Sequence, residues 1–492
     1  MVVAMSQEDD APLAAPTPTA LPTGSSCPER VPQGDEAAQD SKKAERELGE
    51  ESVGALLVRY SLPAIVASTV ASLYNIVDRI FIGQGVGPYA ISGLAITLPI
   101  VNLAIAFGAM VGVGASALTS IRLGERHPEE AERILGTTVM LNVVLGTVYS
   151  LCILLFLDPL LRIFGASDET LPYAREFLQV ILVGNPFFHF YMGLNNIMRA
   201  SGHPRKAMVT TILTVGVNLA LAPIFIFVLH WGIRGAALAT VAGQFTGLGF
   251  TVAHFLDRDR SLRFRAGIFS VDFSIVRGIF SIGMSAFFMQ VGASLVAVIL
   301  NLQLVRYGGD FGVGAFGIIN SVLMVVAMVV MGIGQGMQPI AGFNYGARRF
   351  GRVVRVLHHA IVGASLVTCV GFLVSELFPW PVVCAFTRDP HLRSLSVQGM
   401  RLCCLIFPLA GFQIATTHFF QSIGRAKLSV ILSLSRQIGF LIPFLLLLPP
   451  LFGLVGVWLS LPASDAASAA LTWGVLRYER KRIEGLDARA EG

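Results

Sequence analysis

Long apolar runs separated by short polar breaks dominate the chain from about residue 55 onward. A helix needs about 20 apolar residues to cross the hydrocarbon core of a bilayer. Runs of that length fall at roughly 56–83, 89–121, 131–157, 171–198, 206–229 and 233–256. A second set falls at roughly 272–305, 313–345, 352–378, 393–423, 427–449 and 454–477. The pattern predicts an all-α integral membrane protein of twelve transmembrane helices, several long enough to tilt or bend.

Composition agrees: the 492 residues are 54% hydrophobic and 14% charged, against about 25% charged in soluble domains. Only the start departs. Residues 1–51 are rich in Pro, Ala, Ser and acidic residues and lack the basic start and apolar core of a signal peptide. They cannot bury enough apolar surface to fold, which predicts a disordered cytoplasmic tail. A second cytoplasmic tail is expected at 481–492. The six cysteines show no metal or disulfide spacing and read as small buried hydrophobes.

Positive charge is divided unevenly among the loops. Arg122, Arg126 and Arg133 follow the second run, Arg199, Arg205 and Lys206 the fourth, and Arg258, Arg260, Arg263 and Arg265 the sixth. Arg348, Arg349, Arg352 and Arg355 follow the eighth, Arg425 and Lys427 the tenth, and Arg477, Arg480, Lys481 and Arg482 the last. The intervening loops are poorer in positive charge, and GQGVGP and LLPPLFG have none. The positive-inside rule then places both termini in the cytoplasm. Charges scattered over short loops make a poor nucleic-acid surface, so no nucleic-acid partner is expected.

The chain repeats itself. GHPRKAMVTTIL (202–213) aligns with GRAKLSVILSLS (424–435), GIRGAALATVAGQ (232–244) with GLVGVWLSLPASD (453–465), and ASLYNIVDR (71–79) with ASLVAVILN (293–301), at an offset near 222. Each repeat holds six helices, an even number, so both insert the same way. Two six-helix bundles are therefore expected, 52–265 and 266–480, related by pseudo-two-fold symmetry along the membrane normal. Such bundles commonly enclose a substrate cavity and rock to give alternating access.

Within the first bundle, Asp78 interrupts an apolar run. An aspartate at a helix centre costs about 2.5–3.5 kcal/mol to insert and faces the protein interior or a wet cavity. Adjacent residues on a helix point about 100° apart, so Arg79 is a poor partner; an interfacial position near the helix end is the other structural reading. The repeat sharpens the choice. Asp78 aligns with Leu300, Asn218 with Phe440 and Thr240 with Leu461, so three polar positions of the first half are apolar in the second. A carboxylate, an amide and a hydroxyl are hard ligands for a small cation, and the same carboxylate can instead take a proton. The residues leave Na+ and H+ both open.

LPAIVASTVASLYNIVDRIFIGQGVGPYAISGLAITLPI, RASGHPRKAM, NLALAPIFIFVLHWGIRGAALAT, SRQIGFLIP and LPASD occur in this order over residues 52–480. In order and spacing they resemble the multidrug and toxic compound extrusion (MATE) family, in particular a bacterial branch. The resemblance implies a multi-pass protein of the bacterial inner membrane that acts as a monomer without a cofactor. Its expected activity is cation-coupled antiport, exporting small organic, cationic compounds against H+ or Na+. The family's membrane-embedded aspartate falls on Asp78, where Na+ would bind, and its helix-bending proline on Pro63. Its helix-5 asparagine falls on Asn218 and its helix-6 threonine on Thr240, with Ala236 one turn earlier offering a backbone carbonyl. One departure is Ala222, where archaeal-type members carry Asp before Pro-Ile-Phe. The carboxylates that other members place in helices 7 and 10 fall on about Gln290 and Phe412, so a second-half site is not expected.

Among the remaining polar residues, Arg436 and Asp465 lie inside the last two runs, where lone charges are expensive, and are expected to pair. This pair reads as a structural lock, or as a second proton or substrate site. Glu376 and Arg401 fall near helix ends, and His189 and His418 read as helix-contact residues. Phe287, Phe288 and Met289 could line an adaptable apolar pocket. Two other functions fit less well. A lipid-linked precursor flippase would need more intramembrane arginines. An integral membrane enzyme would need a cluster of catalytic spacing, and an ATP-driven pump a phosphate-binding loop; neither occurs.

Overall fold

The computed structural model describes residues 46–257, 262–265, 267–268 and 272–490. Residues 1–45, which hold most of the expected tail and Cys27, lie outside the described residues, as do Arg258, Arg260 and residues 491–492. The first bundle comprises α1 (Val53–Gly85), α2 (Pro88–Gly124), α3 (Pro128–Leu155), α4 (Leu171–Ala200), α5 (Pro204–Val228) and α6 (Gly232–Leu256). Proline stands at or next to the first position of α2, α3, α4 and α5, where its missing N–H costs nothing and its fixed φ suits the helix.

In the second half, helix runs on from Phe273 to Gly346 with a single break at Gly309 (φ 57°, ψ −155°). That break divides α7 (273–308) from α8 (310–346). A positive φ favours glycine, and the residue 222 positions earlier, Gly87 (φ 116°), separates α1 from α2. The next helix is α9 (Phe350–Leu377); α10 is bent by 50° between Pro390–Cys404 and Phe407–Ser422. α11 (Ala426–Phe452) contains a π-helical stretch at Ser435–Leu441, and α12 runs from Leu454 to Ala490. The twelve expected helices are thus present among the described residues, and all are helical without strands.

Two large apolar cores cross between the halves. Val53, Leu56, Leu57 and Tyr60, the start of α1, are buried with Phe343, Phe350, Val353 and Phe419 of the second half. Conversely Ile275 and Ile279, the start of α7, are buried with Val111, Leu135 and Leu194 of the first. Ile275 and Ile279 are the repeat counterparts of Val53 and Leu57, so the exchange obeys the pseudo-two-fold.

The same side of the molecule, the side of the basic loops, is closed by direct contact of α2 with α8. A Cβ on Gly124 would overlap the Phe343 carbonyl oxygen, and one on Gly346 would overlap that of Ile121. These four residues are again repeat counterparts. Arg199 of α4 donates to Gln335 of α8 across the seam, and the Gln338 amide donates to the Val113 carbonyl at 3.2 Å.

Residues 46–50, at the end of the expected disordered tail, form a helical turn instead. Leu48 is 2% exposed, and its carbonyl accepts from Arg352 Nη2 and Asn344 Nδ2, each at 3.1 Å. Arg352 also donates to the Glu51 carbonyl at 2.7 Å. The stretch is charged, so its one buried leucine and its borrowed donors carry no hydropathy signal. The cysteines also differ from expectation: Cys403 and Cys404 are buried, Cys369 and Cys384 half-buried, and Cys152 exposed on α3.

Candidate functional site

A cavity of about 400 Å3 opens within the first bundle, walled by α1, α2, α4, α5 and α6. Asp78, Asn218 and Thr240 line it together, joined by Tyr74. Tyr74 and Asp78 stand four residues apart on α1 and so share one face. Asp78 is 8% exposed, so its carboxylate is held inside the protein rather than on its outer surface. No ion pair joins it to Arg79 among the described residues.

The hydrogen bonds around Tyr74 form a directed chain. The Thr240 hydroxyl donates to the Ala236 carbonyl at 3.1 Å, so its oxygen must accept from its other neighbours. Asn218 Nδ2 donates to Thr240 Oγ1 at 3.0 Å and to Tyr74 Oη at 2.7 Å. Tyr74 Oη and Thr240 Oγ1 are 3.1 Å apart, and the tyrosine proton serves that contact. With both amide protons committed, Asn218 Oδ1 is left buried and without a partner, and so is Asp78 Oδ1. A buried acceptor left unmade costs about 1–3 kcal/mol, and here two of them, one on a carboxylate, lie on residues that line the same cavity. Among the described residues no group of three or more His, Cys, Asp or Glu gathers to hold a metal.

Pro63 is not part of this cluster. It lies fifteen residues before Asp78 on α1, about 22 Å along the helix at 1.5 Å per residue, next to Ser61 where α1 meets α8. Ala222 is 1% exposed and packs with Ile82, Ile226 and Ala236, so an apolar contact fills the position where the resemblance would have put a second carboxylate.

The repeat counterparts of Tyr74 and Asp78 are apolar and packed. Val296 and Leu300, the equivalents of Tyr74 and Asp78, are buried with Leu304, Leu445 and Val457. The asymmetry visible in Asp78, Asn218 and Thr240 therefore extends to a fourth position. Tyr74 escaped the sequence reading because a tyrosine in a membrane helix carries no charge penalty. The signal was nonetheless there, in its alignment with Val296 and its spacing of four from Asp78.

Arg436 and Asp465 do meet: Nε donates to Oδ1 at 2.9 Å, and the Ser464 hydroxyl caps the Arg436 carbonyl of the π-helical stretch at 2.7 Å. Arg401 Nε stands 3.9 Å from Glu376. His189 Nε2 contacts the Ala104 carbonyl at 2.9 Å, tying α4 to α2. His418 is 8% exposed with Nε2 unpartnered.

Two like-oriented bundles, a largely apolar cavity with a polar cluster inside one and a closed seam between them define a multi-pass membrane carrier. The MatE family model matches the chain twice, over residues 63–224 and 285–447, and the two matches start 222 residues apart, as the internal repeat requires. The chain belongs to the MATE family of transporters. It is 28% identical to the multidrug export protein MepA of Staphylococcus haemolyticus (strain JCSC1435), over 88% of this chain and 95% of that one. MepA of Staphylococcus aureus (strain MSSA476) is 26% identical over 87% and 94%. Among solved structures, the outward-facing conformation of a multidrug resistance MATE family transporter of the MOP superfamily superposes with a TM-score of 0.84 at 27% identity, covering 90% of this chain and 98% of that one. A MATE structure in the bent conformation gives 0.83 at 26% identity, covering 94% and 100%.

Proposed function

We propose that the protein exports small organic compounds from the cytoplasm across the bacterial inner membrane, by antiport against H+ or Na+. The observation that carries this reading is the buried Asp78 carboxylate lining a cavity together with Asn218 and Thr240, with Asp78 Oδ1 and Asn218 Oδ1 both buried and unpartnered. Asp78 supplies the charge, Asn218 Oδ1 a neutral oxygen, and Thr240 and Ala236 the hydroxyl and carbonyl behind them; Tyr74 fixes the amide so that its oxygen is left without a partner. All are hard oxygen ligands that fit Na+, and the carboxylate alone suffices for a proton. The similarity to two multidrug export proteins supports organic substrates, and the basic loops support a cytoplasmic position for both termini.

Antiport requires that ion and substrate differ in affinity between two states. The seam of α2 with α8 closes the basic-loop side, so this conformation offers its cavities to the opposite face. Cation binding at Asp78 would compact the first bundle and favour release of the substrate, with Pro63 the point at which α1 can bend. The chain acts as a monomer in this scheme, since both halves of the carrier are in one polypeptide.

The test is efflux of a fluorescent organic cation from proteoliposomes under imposed Na+ or H+ gradients, applied separately. Wild type should respond to one gradient, which identifies the ion. Asp78→Asn at matched protein content should lose that response by about a hundredfold, since removing the one charge of a desolvated site costs several kcal/mol. Undiminished gradient-driven efflux by Asp78→Asn would move the coupling site elsewhere.

A further inference from the structure

The second bundle holds a small cavity of about 20 Å3, lined by Met289, Gln413, His418, Arg436 and Gln437. That is room for one water-sized group. Its place in the fold is not accidental. Subtracting the repeat offset of 222 from Gln413, Ser433, Arg436 and Gln437, all of which line it, gives Tyr191, Thr211, Thr214 and Val215, and all four of these line the large cavity of the first bundle. Four of the small cavity's eight lining residues thus have counterparts in the large cavity, so the small cavity overlaps part of the large one's position in the repeat. The copies have opposite chemistry: the first presents the Asp78 carboxylate, whereas the second carries a guanidinium where the first has the hydroxyl of Thr214.

Arg436 is held in a particular way. Its one ion pair uses Nε, at 2.9 Å from Asp465 Oδ1, and its terminal nitrogens make no hydrogen bond to the protein among the described residues. Asp465 is 7% exposed while the Arg436 side chain keeps 29% of its surface accessible. The carboxylate is thus sunk behind the guanidinium, with the Nη1–Nη2 fork left over. That fork matches the two oxygens of a carboxylate. Around it, His418 Nε2 and Gln437 Oε1 are buried without partners, so the polar lining is unsatisfied as it stands, while Met289 and Ile414 supply an adaptable apolar wall. A simple structural lock would have no need of a free guanidinium fork beside a cavity.

We propose that Arg436 is a specificity-determining residue that receives the carboxylate of a zwitterionic aromatic substrate, with Asp465 positioning its guanidinium. The proposal rests on the export reading above and adds the residue that would tell a carboxylated organic cation from its ester. Asp465 keeps the resting pair near neutral, which lowers the cost of the arginine in the membrane. The carboxylate oxygen would replace water in the small cavity, and the apolar body of the substrate would lie on Met289 toward the gap between the bundles.

Rhodamine B and its ethyl ester test this directly, because the two dyes share one cationic aromatic core and differ only in a free or esterified carboxyl. Both are loaded into proteoliposomes of the full-length protein, and binding is followed in parallel by fluorescence polarisation. Wild type should bind and export both dyes. The charge-neutral double variant Arg436→Gln/Asp465→Asn, which spares the membrane a lone charge, should lose rhodamine B by about tenfold, the value of one charge-assisted bond. It should keep the ester within about twofold. Asp465→Asn alone, which leaves the guanidinium uncompensated, should shift preference toward rhodamine B. Equal losses for both dyes would make the pair a structural lock and overturn the proposal. So would unchanged handling of rhodamine B, or a wild type that exports the ester and ignores the free acid. A wild type that binds and exports neither dye under any gradient would bring down the export reading and this proposal with it.

Discussion

At the residue scale the molecule turns on where protons of hydrogen bonds point. Thr240 gives its proton to Ala236, which obliges Asn218 to face Thr240 and Tyr74 with its nitrogen and leaves its oxygen buried without a partner. Tyr74→Phe tests that chain. It removes the acceptor of the 2.7 Å bond from Asn218 and should cost about 1 kcal/mol of stability. Freed on one side, the amide can rotate, so the concentration of coupling ion giving half-maximal efflux should rise about fivefold with little change in maximal rate. An unchanged ion dependence would reduce Tyr74 to a filler of space. Asp78, Asn218 and Thr240 were legible in the sequence because each is polar where the other repeat is apolar. The bonds among them were not, because hydropathy assigns a residue to the interior without orienting it. The same limit applies to Arg436 and Asp465: their cost in a membrane announced a pair, and only the structure shows which edge of the guanidinium the pair uses.

At the scale of elements, the sequence carried helix number and order well, since twelve apolar runs and proline or glycine breaks leave few alternatives. Ends were read less well. The turn at 46–50 has one buried leucine and is held by donors from Arg352 and Asn344, some three hundred residues away, which no local pattern encodes. The contact of α2 with α8 was also hidden, because a glycine in a membrane helix reads as composition until its neighbour is known. Gly346→Ala should force the Ile121 carbonyl away and destabilise this conformation by about 1–3 kcal/mol, the usual cost of overpacking. Thermal unfolding in detergent should show a lower midpoint, and efflux should fall. Gly249→Ala, with open space at its Cβ, is the matched control and should be neutral or slightly stabilising. Equal behaviour of the two variants would mean that the seam yields without cost.

For the whole molecule, the duplication predicted two like bundles, and the structure adds that neither is self-sufficient. Both halves are alike in hydropathy, so no pattern could tell that Val53 and Leu57 would be buried among residues of the second repeat and Ile275 and Ile279 among residues of the first. The arrangement has the geometry of a swapped homodimer contained in one chain. The link between α6 and α7 packs Leu262 into the core of the first bundle, and the exchanged helix starts tie the two halves together. Cut between Leu256 and Phe273, the two fragments should find each other when made in the same cell and restore efflux, and each made alone should be degraded. Rescue by either fragment alone would show the exchange to be ornamental. If it is not, whatever rocks in this carrier does so about two helices that each half has lent to the other.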